Sequence, residues 1–138
     1  MRIRLPLVLA LVVSTIPAAG PVFAHHSFAA QYDRAKQKTL TGPVKKVDWI
    51  NPHARFFVEV TEAGKTVLWE IELGAPAGLM RQGWTRNSLK IGDVVTVNGS
   101  LAKDGSNMAN ATTVTLGNGK RVFAGSSGGD ENNPAPTP

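Results

Sequence analysis

From Thr39 to Phe123 the chain alternates apolar and polar residues in short runs that end at turn signals. A period of two sends successive side chains to opposite faces of a strand. The first strand is predicted over Thr39–Ile50, with Gly42-Pro43 marking a bulge or a late start. Asn51-Pro52 turns the chain, and a second strand follows over His53–Val60 with Phe56, Val58 and Val60 on one face. Glu62-Ala63-Gly64-Lys65 has the composition of a hairpin turn. A third strand, Thr66–Leu73, points Val67, Trp69, Ile71 and Leu73 one way and Glu70 and Glu72 the other.

The period then changes. Residues 74–83, GAPAGLMRQG, predict a helix of at most two turns that opens at Pro76, with Leu79 and Met80 as its apolar contacts. A fourth strand is predicted over Val94–Ala102, turned by Asp104-Gly105, a fifth over Ala111–Leu116, and a short sixth over Lys120–Phe123. Three meandering strands, a short helix and two or three further strands form the order of an OB-like barrel, an all-β fold of five or six strands with one short helix between strands 3 and 4. An open sandwich of similar size is the rival all-β arrangement.

The flanks differ from this middle. Arg2 and Arg4 precede a largely apolar run of twelve, Leu5–Ile16, and Val22-Phe23-Ala24 supplies a small residue at a cleavage position. Twelve such residues fall short of the roughly 20 that a transmembrane helix takes. Residues 1–24 are therefore expected to be a signal peptide, 25–37 a polar arm, 38–124 the barrel, and 125–138 a disordered tail of Gly, Ser, Asn and Pro. The product is expected in the periplasm or outside the cell, with no stable membrane anchor after cleavage.

Composition narrows the chemistry. Hydrophobic residues make up 42% of the 138 and charged residues 18%, as in a soluble globular domain. With no cysteine, disulfides, thiolate metal sites and cysteine nucleophiles are excluded. Loss of the leader removes two arginines and no acids, so 13 basic residues remain against 10 acidic ones and the net charge falls from +5 to +3. That surplus suits solubility and excludes nucleic acid as the expected partner.

Several stretches recur together in one order: HHSFAAQYD at 25–33, GPVKKVDWINPHA at 42–54, WEIELGAP at 69–76, RQGWTRNSLKIGDVVTVNGSLAKDG at 81–105 and ANATTVTLGNGK at 109–120. In these motifs nearly the whole mature chain resembles a family of exported bacterial proteins of unknown function. The resemblance implies export and a small β domain, and it brings no activity with it.

Candidate chemistry begins at the cut, since cleavage after Ala24 makes His25 the mature N-terminus. Its α-amine, with a pKa near 7.7–8.0, and its Nδ1 then close a six-membered chelate ring on a metal. A third nitrogen completes a histidine brace, an arrangement that suits Cu(II) and its tetragonal nitrogen sites. His53, in the loop between the first two strands, is the prime candidate for that nitrogen, and His26 is the substitute. No axial ligand is obvious in the sequence, with Met108, Asp48 and Glu59 left open for that position. The plainer expectation for His53 is a residue that caps its turn or packs on Trp49.

Glu70 and Glu72 share a face and suit an acid–base pair, although the solvated side of an amphipathic strand is the simpler expectation. Trp49, Trp84, Arg55 and Arg86, with Phe57 and Arg81, are candidates for a stacking surface for a sugar, a nucleotide or an anionic polymer. Against that, Trp84 is the kind of large residue that seals a small barrel. No serine occupies a nucleophile elbow and no phosphate loop is present.

The residues thus describe an exported, non-enzymatic OB-like domain that binds a small ligand, a metal ion such as copper, or an envelope protein. The alternative is a metal-free interaction module built on the aromatic and arginine surface. Mass spectrometry of the exported protein should find a mature N-terminus at His25.

Overall fold

The computed structural model describes residues 27–124, so the expected leader, His25, His26 and the tail beyond 124 lie outside the described residues. Its elements are α1 (Ser27–Gln31), β1 (Tyr32–Asp48), β2 (Arg55–Glu62), β3 (Lys65–Glu72), α2 (Pro76–Arg81), β4 (Val94–Ala102), β5 (Met108–Thr115) and β6 (Arg121–Phe123). One sheet runs in the order β3-β2-β1-β4-β5-β6, with antiparallel neighbours throughout. A parallel pairing of β3 with β5, Glu70 to Glu72 against Met108 to Asn110, closes five strands into a ring. With α2 between β3 and β4, this is the all-β, OB-like connectivity that the turn spacing predicts.

Alternation builds the core. Phe56, Val58 and Val60 of β2, Trp69 and Ile71 of β3 with Leu73 just beyond it, and Val95 and Val97 of β4 all turn inward and are buried. Alanines at 109 and 111 and Val114 face them from β5. Leu79 of α2, Trp84 and Leu89 cover this core from the long β3–β4 connection. Pro76 opens α2 as expected, whereas Met80 is 53% exposed because a six-residue helix turns only one face inward.

The strand that departs most from expectation is β1. It begins at Tyr32, so residues 32–37 belong to the sheet and not to a separate polar arm, and α1 precedes it. Tyr32 and Asp33 pair with Ala102 and Leu101, then the register breaks and resumes at Gln37 opposite Ser100. Residues 34–36 are thus extra on the β1 side. A second irregularity between Val44 and Lys46 bends β1 where it changes partner from β4 to β2, close to the predicted Gly42-Pro43 bulge.

Such bending brings backbones together at two glycines. A Cβ on Gly42 would lie 2.0 Å from the Glu59 carbonyl oxygen, and one on Gly99 would lie 2.4 Å from that of Asn110. Both positions need glycine because another strand's backbone occupies the space. Gly42→Ala should cost about 3 kcal/mol and lower the thermal midpoint by roughly 12–24 °C, whereas Thr41→Ala beside it should stay within about 1 kcal/mol. Thermal unfolding followed by circular dichroism reads both.

Candidate functional site

The ring sets a row of polar residues side by side on neighbouring strands. Asp48 of β1 pairs with Arg55 of β2, Arg55 pairs with Glu72 of β3, and Glu72 pairs with Asn110 of β5. The sequence neighbours Ala54, Phe56, Ile71, Leu73, Ala109 and Ala111 all lie in the apolar core. By alternation, Arg55, Glu72 and Asn110 point to the opposite face.

That face is not solvated at Glu72, which is 6% exposed, nor at Asn110, which is 3% exposed. The expectation of a wet glutamate pair is corrected for Glu72, because residues distant in sequence close over it. Tyr32 is 2% exposed yet stands apart from the main apolar cluster. Its hydroxyl donates to Glu72 Oε2 at 3.1 Å, and the Asn110 amide donates to Oε1 at 3.2 Å. His53 brings Nδ1 within 3.1 Å of the same Oε1. Arg55 donates to Glu70 Oε1 at 2.8 Å and holds its other terminal nitrogen 4.0 Å from Glu72 Oε2.

This arrangement answers the cost of burying a carboxylate, which is several kcal/mol without donors or a counter-charge. It also determines the chemistry of His53. A carboxylate offers only lone pairs, so its place 3.1 Å from Nδ1 favours the tautomer with the proton on Nδ1 over the one with a lone pair there. In that neutral tautomer Nε2 holds the lone pair. The same arrangement pushes the Tyr32 phenol well above its ordinary range. Burial contributes most, followed by the negative charge of Glu72 and the hydrogen bond to it.

The residues singled out in the sequence fall into three groups. His53 joins the Glu72 cluster with its side chain about one quarter exposed, and Arg55 borders it. His25 and His26 lie outside the described residues. The aromatic and arginine surface is not assembled. Trp84 is 2% exposed, and its indole N–H donates to the Phe123 carbonyl at 2.8 Å, which leaves no ring face for a ligand. Trp49 is half-buried against the core with its indole nitrogen inside, Lys46 stands 5.1 Å over the Phe57 ring, and Arg81 and Arg86 are exposed.

The candidate axial ligands are likewise occupied or apart. Asp48 accepts from Lys46 at 2.6 Å, Glu59 lies 3.5 Å from Lys45, and Met108 pairs with Glu70. Among the described residues, no group of three or more His, Asp or Glu side chains is arranged around a metal. Tyr32 and Asn110 were missed as site residues. The strand-start position of Tyr32 gave no local signal, and the pairing of Asn110 with Glu72 depends on ring closure.

Fold and cluster together define a small, closed-ring all-β domain with a carboxylate buried beside a histidine on its outer face. The chain belongs to a family of unknown function, DUF6152, whose family model matches residues 12–111. No curated protein matches it.

The phenol provides a direct probe, since the chain has a single tyrosine. At about pH 11 an ordinary phenol, with a pKa near 10, is ionised, whereas Tyr32 should remain protonated and show phenolate absorbance only on unfolding. The folded pKa is raised above the unfolded value, so this contribution is fully present below about pH 10 and is lost as pH rises beyond it. Tyr32→Phe should lack that alkaline limb and cost about 1–3 kcal/mol at neutral pH, because Glu72 loses a donor. Urea unfolding at several pH values measures both effects.

Proposed function

We propose that the protein is an exported, non-enzymatic binding domain that holds a divalent transition-metal ion, Cu(II) before others. The ligands are His53 and the residue that export leaves at the N-terminus, His25, with His26 as the substitute for His53. The observation that carries this reading is that one buried carboxylate, Glu72, contacts both His53 and Tyr32. Histidines that ligate metals commonly donate their other ring nitrogen to a carboxylate, which fixes the tautomer and raises ligand basicity. His53 has that partner.

Tyr32 supplies the second support, because it lies only seven residues after His25. The five residues of α1 rise about 1.5 Å each, and two further residues span at most about 3.6 Å each. The terminal amine is thus tethered within roughly 15 Å of the Tyr32 backbone, whose side chain already reaches the carboxylate that contacts His53. The α-amine and Nδ1 of His25 with Nε2 of His53 make three nitrogens, a set that favours Cu(II). The charged n-region and the apolar run Leu5–Ile16 support export, the event that would free the amine.

Calorimetric titration of correctly processed protein with Cu(II) should show one tight equivalent. Binding should be lost when an extra residue precedes His25 and strongly weakened in His53→Ala. Glu72→Gln should lower affinity about 10–100-fold through the orientation of His53. Tight binding that survives the added residue would rule out the terminal amine as a ligand.

A further inference from the structure

We propose that the end of the sheet where β4 begins and β5 turns into β6 is a docking face for an anionic lipid surface. Ile91, Val94 and Pro43 form its apolar tip, and Lys90, Lys120 and Arg121 stand around that tip to meet headgroup phosphates. This contact is separate from the metal-binding reading and does not depend on it.

Ile91 is 74% exposed and Val94 54%, and the backbone around them holds both outward. The turn that carries Ile91 is closed by the Asp93 amide on the Lys90 carbonyl at 3.1 Å and by the Lys90 amide on Asp93 Oδ2 at 2.9 Å. Strand β1 fastens it from the side. The Gly92 amide donates to the Val44 carbonyl and the Val44 amide to the Asp93 carbonyl, both at 2.8 Å. The next rung of the ladder pairs Val94 with Pro43. Val95 and Val97 turn into the core, so Val94 faces out by alternation. Beyond Val94 lies the β5–β6 turn, since a Cβ on Gly117 would sit 3.4 Å from the Val94 carbonyl oxygen. That turn is closed at 2.8 Å by the Leu116 amide on the Lys120 carbonyl and the Gly119 amide on the Leu116 carbonyl, and it leaves Lys120 and Arg121 exposed.

The charges around this tip are uncompensated. Among the described residues Lys90, Lys120 and Arg121 make no ion pair, whereas Lys36, Lys38, Lys45 and Lys46 each face a carboxylate. Arg121 reaches the Thr113 hydroxyl at 3.4 Å, and Asp93 turns its carboxylate back onto the Lys90 amide. An acidic polymer would satisfy such cations but leave Ile91 and Val94 in water. A bilayer interface satisfies both, because apolar side chains enter the boundary between headgroups and acyl chains while cations meet the phosphates above it. The hydrogen-bonded turns fix the tip before contact, so little conformational entropy is lost on docking.

Co-sedimentation of processed protein with vesicles tests this, using equal parts phosphatidylglycerol and phosphatidylcholine against phosphatidylcholine alone. Binding should require phosphatidylglycerol and fall as salt is raised, since exposed charges are screened within about 10 Å at 0.1 M. Each lysine at an anionic surface strengthens binding about fivefold, so Lys90→Gln with Lys120→Gln should weaken it about 25-fold. The same loss of charge elsewhere, in Lys36→Gln with Lys65→Gln, should change it less than threefold. Ile91→Ser, at a side chain with little internal packing, should weaken binding about tenfold. No binding to the anionic vesicles would overturn the proposal, as would equal losses in the two lysine pairs or full binding by Ile91→Ser. Retention on immobilised heparin without vesicle binding would assign the cations to an acidic polymer and overturn the lipid reading.

Discussion

Taking the Glu72 carboxylate out of water costs several kcal/mol unless donors replace its hydration, and the elements around it are arranged to meet that demand. Tyr32 from the start of β1, His53 from the β1–β2 loop, Arg55 from β2 and Asn110 from β5 converge on two oxygen atoms. Each comes from a different part of the chain. The cluster therefore ties the first residues of the sheet to its first loop and to the strand that closes the ring. Removing any one donor leaves the others holding a charge that is less well compensated.

Ring closure is what makes this convergence possible. The parallel pairing of β3 with β5 puts Asn110 beside Glu72, and the antiparallel pairing of β2 with β3 puts Arg55 on its other side. Gly42 and Gly99 let the long strands bend closely enough for the ring to close. Inside, the alternate residues of the same strands form the apolar core, so one set of backbone pairings serves two environments. The inner face is ordinary close packing. The outer face holds the Glu72 cluster, where Tyr32 at the start of β1 and His53 meet the same carboxylate.

Much of the inner face was legible in the sequence, because it follows from local alternation. The predicted β4 matches Val94–Ala102, and β2 and β3 were placed within two residues at their ends. Trp84, weighed in the sequence as a closing residue, is buried in the core of the ring. The outer face was much less legible. Glu72 alternates like any solvated residue, and nothing within several positions of it announces that Tyr32 lies on it. The first part of β1 was read as an arm because residues 34–38 are mostly charged, and their strand partner lies more than sixty residues away. His53 was recognisable as a candidate ligand by its residue type, but the carboxylate beside it was visible only once the strands were in register.

Whether Glu72 orients the His53 ring is decided by which ring nitrogen carries the proton. Nitrogen-15 spectroscopy of the imidazole at neutral pH measures this directly. A protonated Nδ1 with a lone pair on Nε2, lost or mixed in Glu72→Gln, is the predicted result. A proton resident on Nε2 in the parent protein, unchanged by that substitution, would show that Glu72 does not orient the ring and would contradict the account.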